Sequence, residues 1–195
     1  VTKPAIAASR NGGARVATGD IVAFVDADCT IHPETFNVIE RTMARPDAVA
    51  GATSARFDRS SLGIWITTLI GETLFFFANL DIGVVFCRRA DWKAVGGYNE
   101  ELLCAEDVEF LVALKKLGKM RGQRFIRAKG ARATTSARKF DARGDWHYFR
   151  MAPPTAVFSL LFNRRGLQRQ MGAERIGEYW YDVRKEQLPS TGGSE

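Results

Sequence analysis

The chain has 195 residues, 46% of them hydrophobic and 26% charged, with a formal net charge of +6. That length suffices for one domain with its own core, and the composition excludes a disordered or fibrous chain. The most apolar stretch, Leu62 to Cys87, is interrupted by Glu72 and Asp81, so no run of about 20 uncharged residues reads as a transmembrane span.

The charge is unevenly placed. From Lys115 to Arg150 there are twelve Lys or Arg against only Asp141 and Asp145. Such a block suits an anionic partner (nucleotide phosphates, a membrane surface or nucleic acid) and equally a solvated face. Nucleic acid is the weakest of these, because the block lacks the interleaved aromatics of a base-stacking platform. Cys29, Cys87 and Cys104 are far apart and odd in number. That fits reduced thiols in a cytoplasmic protein better than a disulfide framework.

In chain order, Ala5 to Ala17 reads as a helix weakened at Gly12-Gly13 and stopped at Gly19. Arg10, Asn11 and Arg15 lie beside that flexible backbone. They suit phosphate or sugar contact, or simply a polar turn opening a helix. Ile21-Val22-Ala23-Phe24-Val25 is a short apolar run, expected to be a strand buried on both faces as in a parallel sheet. It ends in Asp26-Ala27-Asp28. Ligands of open α/β sheets bind outside the carboxyl ends of the strands. Two carboxylates there can hold a hard divalent cation, which in turn holds a diphosphate. The plainer reading is a turn, with Asp28 capping the next element.

Pro33-Glu34 opens a helix with Phe36, Ile39 and Met43 as its buried stripe, ended by Pro46-Asp47; His32 is expected to be structural. Ala48 to Ala55 reads as a strand of small residues. Leu62 to Asn79 reads as an apolar helix partly exposed to a partner or acceptor, with Phe75-Phe76-Phe77 expected in the core. Gly83 to Cys87 reads as a buried strand ending in Arg88-Arg89, and Asp91 to Val95 as a short helix stopped at Gly96-Gly97-Tyr98. The clearest helix opens at Ala105-Glu106-Asp107-Val108-Glu109 and closes with Lys115-Lys116 and Gly118. Acid first, base last and glycine after match the helix dipole and cap rules, which alone explain the acids. Arg124 to Arg127 and Ala131 to Ser136 read as two short strands. Helices are expected over Thr155–Phe162 and Glu174–Arg184, giving a helical extension over 151–187 and a disordered tail over 188–195.

Two blocks carry a family resemblance. Ala8-Ser9-Arg10-Asn11-Gly12-Gly13-Ala14-Arg15, followed by Thr18-Gly19-Asp20 and Asp26-Ala27-Asp28, resembles the middle of a family 2 glycosyltransferase domain. Gly96-Gly97-Tyr98-Asn99-Glu100 and Glu106-Asp107 resemble that family's acceptor-side motifs. The resemblance covers roughly residues 3 to 140.

It implies the GT-A fold, an α/β, Rossmann-like mixed sheet flanked by helices, here over residues 1–150. It implies a nucleotide-diphosphate sugar as donor, Mn²⁺ or Mg²⁺ as cofactor, and transfer with inversion to a glycan or lipid-linked acceptor. Asp26 and Asp28 resemble the metal-binding acids, Asp28 being the more direct ligand. Asp107 resembles the catalytic base, with Glu106 shaping the acceptor site. Arg10, Asn11, Arg15 and Asp26, together with Arg138 and Lys139 of a late basic motif, resemble the donor-binding set. The family's first strands, which hold the nucleotide base, have no counterpart before Val1, so an N-terminally truncated domain is expected. The apolar Leu62–Asn79 stretch and the basic C-terminal third imply a peripheral contact with the inner face of a membrane. The competing readings are a degenerate module that binds nucleotide or glycan without turnover, and a nucleotidyltransferase, for which no glycine-rich phosphate loop is present.

Overall fold

The computed structural model describes residues 6–81, 83–102 and 106–146. The expected extension over 151–187 and tail over 188–195 lie outside the described residues, as does Ala105.

The elements run in the order α1 (Ile6–Val16), β1 (Ile21–Phe24), β2 (Cys29–Thr30), α2 (Thr35–Met43), β3 (Ala48–Phe57), α3 (Leu62–Phe77), β4 (Val85–Arg88), α4 (Arg89–Ala94), α5 (Glu106–Met120), β5 (Arg124–Thr135) and α6 (Arg138–Arg143). The strands form one mixed sheet in the order β1-β4-β3-β5-β2. β3 and β5 run parallel, while β4 is antiparallel to both β1 and β3, and β2 is antiparallel to β5. The carboxyl ends of β1, β3 and β5 therefore point the same way. This is the mixed α/β architecture with flanking helices that the motifs imply.

β3 is central because its side chains are small. Ala48, Val49, Ala50 and Ala52 are wholly buried, and Gly51 has no Cβ because the Phe86 ring and the Ile126 carbonyl occupy that space. One face of the sheet is covered by α1, α4 and α5, which bring Ala14, Trp92, Phe110, Leu111 and Leu114 onto Val49 and Phe125. The other face is covered by α2, whose Val38, Ile39 and Met43 pack against Phe86 and Ala133.

Several expectations are corrected. β1 is not buried on both faces: its one partner among the described residues is β4, only Val22 is buried, and Val25 is 44% exposed. A strand with one neighbour at the edge alternates inside and outside. The buried stripe of α2 is Thr35, Val38, Ile39, Thr42 and Met43, while Phe36 faces outward. The helix starts two residues after Pro33, and that shift rotates its apolar face. Of the three phenylalanines expected in the core, Phe75 packs against it while Phe76 and Phe77 are exposed, because the end of α3 meets the body on one side only. The two strands expected after Gln123 are one strand, β5, with a register shift where Lys129 to Arg132 bulge out against β3. α5 runs through Gly118 to Met120, and the stop is Gly122 at φ +66°. α1 passes through Gly12-Gly13 unbroken, because Ala7, Ala8, Asn11 and Ala14 bury one face of it.

Candidate active site

The chain turns sharply after β1. The Cys29 N–H donates to the Asp26 carbonyl (3.0 Å), and Cys29 then pairs with Thr135 at the end of β5. The Ser136 N–H donates to the Asp28 carbonyl (3.1 Å). These bonds hold the acidic turn beside the basic start of α6. The Arg138 guanidinium lies 3.3 Å from Asp28 Oδ2. Lys139 is half-buried in the field of Asp28 and Asp26, and burial pulls its ammonium down to about 8. It remains largely charged at neutral pH.

The carboxylate oxygens of Asp26 and Asp28 and the Sγ of Cys29 lie within 4.8 Å of one another. Burial pushes the Cys29 thiol up, so at neutral pH it is a neutral thiol and a poor ligand. The two carboxylates, Asp26 exposed and Asp28 half-buried, dominate the donor set, and oxygen donors suit a hard cation such as Mn²⁺ or Mg²⁺. The residues present thus fit the metal that the motif implies.

Arg10 joins this turn to the start of α5. Its guanidinium lies 2.6 Å from Asp26 Oδ1 and 3.4 Å from Glu106 Oε1, and it stacks over the Tyr98 ring at 5.2 Å. Tyr98 in turn stacks on Phe110 at 4.1 Å, so the platform is fixed by the core. Glu106 is 8% exposed. Burial first, then the adjacent Asp107 charge, pushes its carboxyl up. Asp107 Oδ1 accepts the Val108 N–H (2.9 Å) at the amino end of α5.

Of the residues singled out in the sequence, Arg10, Asp26, Asp28, Glu106, Asp107, Arg138 and Lys139 thus meet at the carboxyl end of the sheet. Asn11 and Arg15 are placed elsewhere. The buried Asn11 carboxamide is spent on the Tyr98 N–H, the Tyr98 carbonyl and the Glu100 carboxylate. It therefore fixes the Gly96-Gly97-Tyr98 turn. Arg15 is exposed and pairs with Glu100 at 3.0 Å. His32 is structural as expected: its Nδ1 accepts the Glu34 N–H at the start of α2. Sequence reasoning misses Tyr98 as the platform for Arg10; the aromatic after paired glycines is the available signal.

Residues 2–89 match the model of glycosyl transferase family 2. This stretch is similar to that family. The family 2 segment runs from α1 to the end of β4 and contains Arg10 and the acidic turn. No curated protein matches the chain. The activity that comes with the family is glycosyl transfer, from nucleotide-sugar donors and generally with divalent metals. α5 and α6, which carry Glu106, Asp107, Arg138 and Lys139, come after the matched segment and complete the same end of the sheet.

Proposed function

We propose that the chain transfers a sugar from a nucleotide-diphosphate sugar to a hydroxyl of a glycan or lipid-linked acceptor, with inversion and with Mn²⁺ or Mg²⁺ bound. The carrying observation is the convergence of the Asp26/Asp28 turn with Arg138 and Lys139 on one side and, through Arg10, with Glu106-Asp107 on the other. Asp26 and Asp28 hold the metal, whose charge offsets that of the diphosphate. Arg138 and Lys139 hold the diphosphate oxygens and stabilise the charge that grows as the bond from the anomeric carbon to phosphate breaks. The acceptor hydroxyl attacks that carbon from the opposite face, and Asp107 takes its proton. Arg10 bridges the Asp26 and Glu106 carboxylates and offsets their like charges. The same reading sets the enzyme in the cytoplasm, peripherally on the inner face of a membrane.

Thermal shift with UDP, GDP and dTDP, each with and without Mn²⁺, tests it. We expect stabilisation that requires both the metal and one nucleotide, lost in Asp28→Asn. Asp107→Asn should keep that stabilisation and lose transfer about 100-fold or more. Nucleotide binding indifferent to metal and to Asp28 would refute the assignment. Transfer that survives Asp107→Asn but not Glu106→Gln would give the base role to Glu106, which its raised proton affinity favours.

A further inference from the structure

α3 is apolar over most of its circumference, interrupted by three threonines and Glu72, yet among its residues only Gly63 and Ile64 are buried. Helices of that composition are ordinarily covered on all sides. Beneath α3, between it and the carboxyl halves of β3 and β5, lies a cavity of about 1130 Å³. Its floor and wall are mainly apolar: Ala55, Phe57 and Ala131 face Ile70, Leu74 and Phe75. Gly71 also lines it, and a Cβ there would meet nothing within 4 Å.

The rim is cationic. Arg56 and Arg132 donate to the hydroxyls of Thr134 and Ser54, each at 3.2 Å, and neither forms a salt bridge with a described carboxylate. Lys129 stands beside them on the β5 bulge. The acids at the cavity are Glu72 and Asp81, and Asp81 faces Arg127, which also stacks on Phe76. At its other end the cavity reaches His32 and Thr135. Thr135 is the register partner of Cys29, so the cavity opens beside the metal-binding turn.

We infer that this cleft seats an amphiphile of one kind, a lipid with a phosphate head group. Its chain lies under α3, and its phosphate lies against Arg56, Lys129 and Arg132. Resting on the proposed sugar transfer, this names the acceptor class: a lipid whose phosphate head group carries the hydroxyl that receives the sugar, presented to the donor across the acidic turn. An uncharged lipid leaves the cations unused, and a soluble phosphate leaves the apolar wall wet. Only a molecule with both parts satisfies both surfaces.

Decyl phosphate, 1-decanol and inorganic phosphate are the probes, each titrated into the full chain by calorimetry. Decyl phosphate should bind about tenfold or more tighter than decanol, and inorganic phosphate should give no saturation. Arg56→Gln with Arg132→Gln should bring decyl phosphate down to the decanol level. Gly71→Leu, which puts a better helix former into open space, should fill the cleft and remove binding of both. Equal binding of decanol and decyl phosphate, or full binding by Gly71→Leu, overturns the inference. So does tight binding to phosphatidylglycerol vesicles that decyl phosphate does not displace, which would make the face a bilayer-docking surface. Metal-dependent nucleotide stabilisation is read on the same samples. Its failure beside normal decyl phosphate binding would sink the sugar-transfer reading and leave the cleft standing.

Discussion

Arg10 and Glu106 are separated by 96 positions in sequence, and no pattern within either segment announces that they touch. Each is legible alone, Arg10 as a cation near glycines and Glu106 as an acid in a helix's first turn. Their junction requires the fold, because α1 and α5 reach the same edge of the sheet only through tertiary packing. The junction has a measurable signature. Burial lifts the Glu106 carboxyl above its usual 4.5, so in the window just above that value the folded state binds more protons than the unfolded one. Stability therefore falls as pH rises through the window and stays lower above it. Glu106→Gln removes the titration and keeps an oxygen for Arg10. The variant should melt higher than the parent at pH 7 to 8, and the gap should close below about pH 4.5. A gap that is constant across pH would mean that Glu106 is not held in this desolvated position.

At the scale of elements, strands and helices are legible where local rules decide and mislead where packing decides. The acidic start and basic end of α5 are plain in the sequence, but Gly118 there looks like its stop. Its actual task is close approach: a Cβ there would lie 2.7 Å from Val49 Cγ1 and 3.0 Å from the Gln123 carbonyl. Gly71 in α3 carries no signal in the sequence, and its surroundings are open. The same substitution should therefore act with opposite sign in the two helices. Alanine gains about 1 kcal/mol over glycine in a helix interior. Gly71→Ala should show that gain as a higher denaturation midpoint. At Gly118 the clash with a stiff, fully buried valine costs about 1–3 kcal/mol. Gly118→Ala should be destabilised by about 1 kcal/mol net. Denaturant midpoints at unchanged slope would check both. β1 misleads in another way. Its apolar run suits a doubly buried strand, but the number of neighbours a strand acquires is not written in its own residues.

For the whole molecule, the mixed sheet and the D-x-D turn are visible in advance because strand ends and acidic pairs are local signals. That the apolar Leu62–Asn79 helix is partly exposed is legible too, but which of its residues face outward is not: Phe76 and Phe77 are exposed where a core position is expected. Leu62, Trp65, Leu69 and Phe77 are between 49% and 75% exposed, on the side of α3 away from the cleft. Together with the edge of β1 that has no partner among the described residues, they offer two routes to self-association. The net charge of +6 opposes both, and salt weakens that opposition because the screening length shrinks from about 10 Å at 0.1 M to about 3 Å at 1 M. Light scattering should therefore rise with sodium chloride. In a Trp65→Lys, Phe77→Lys double variant the rise should be mostly lost. Its unfolding free energy should stay within about 0.5 kcal/mol of the parent, since exposed side chains away from packing contribute little. If the variant scatters as strongly as the parent at high salt, the apolar helix is not the driver. The edge of β1 then becomes the surface to alter, with a lysine at Ala23, an exposed position on that strand.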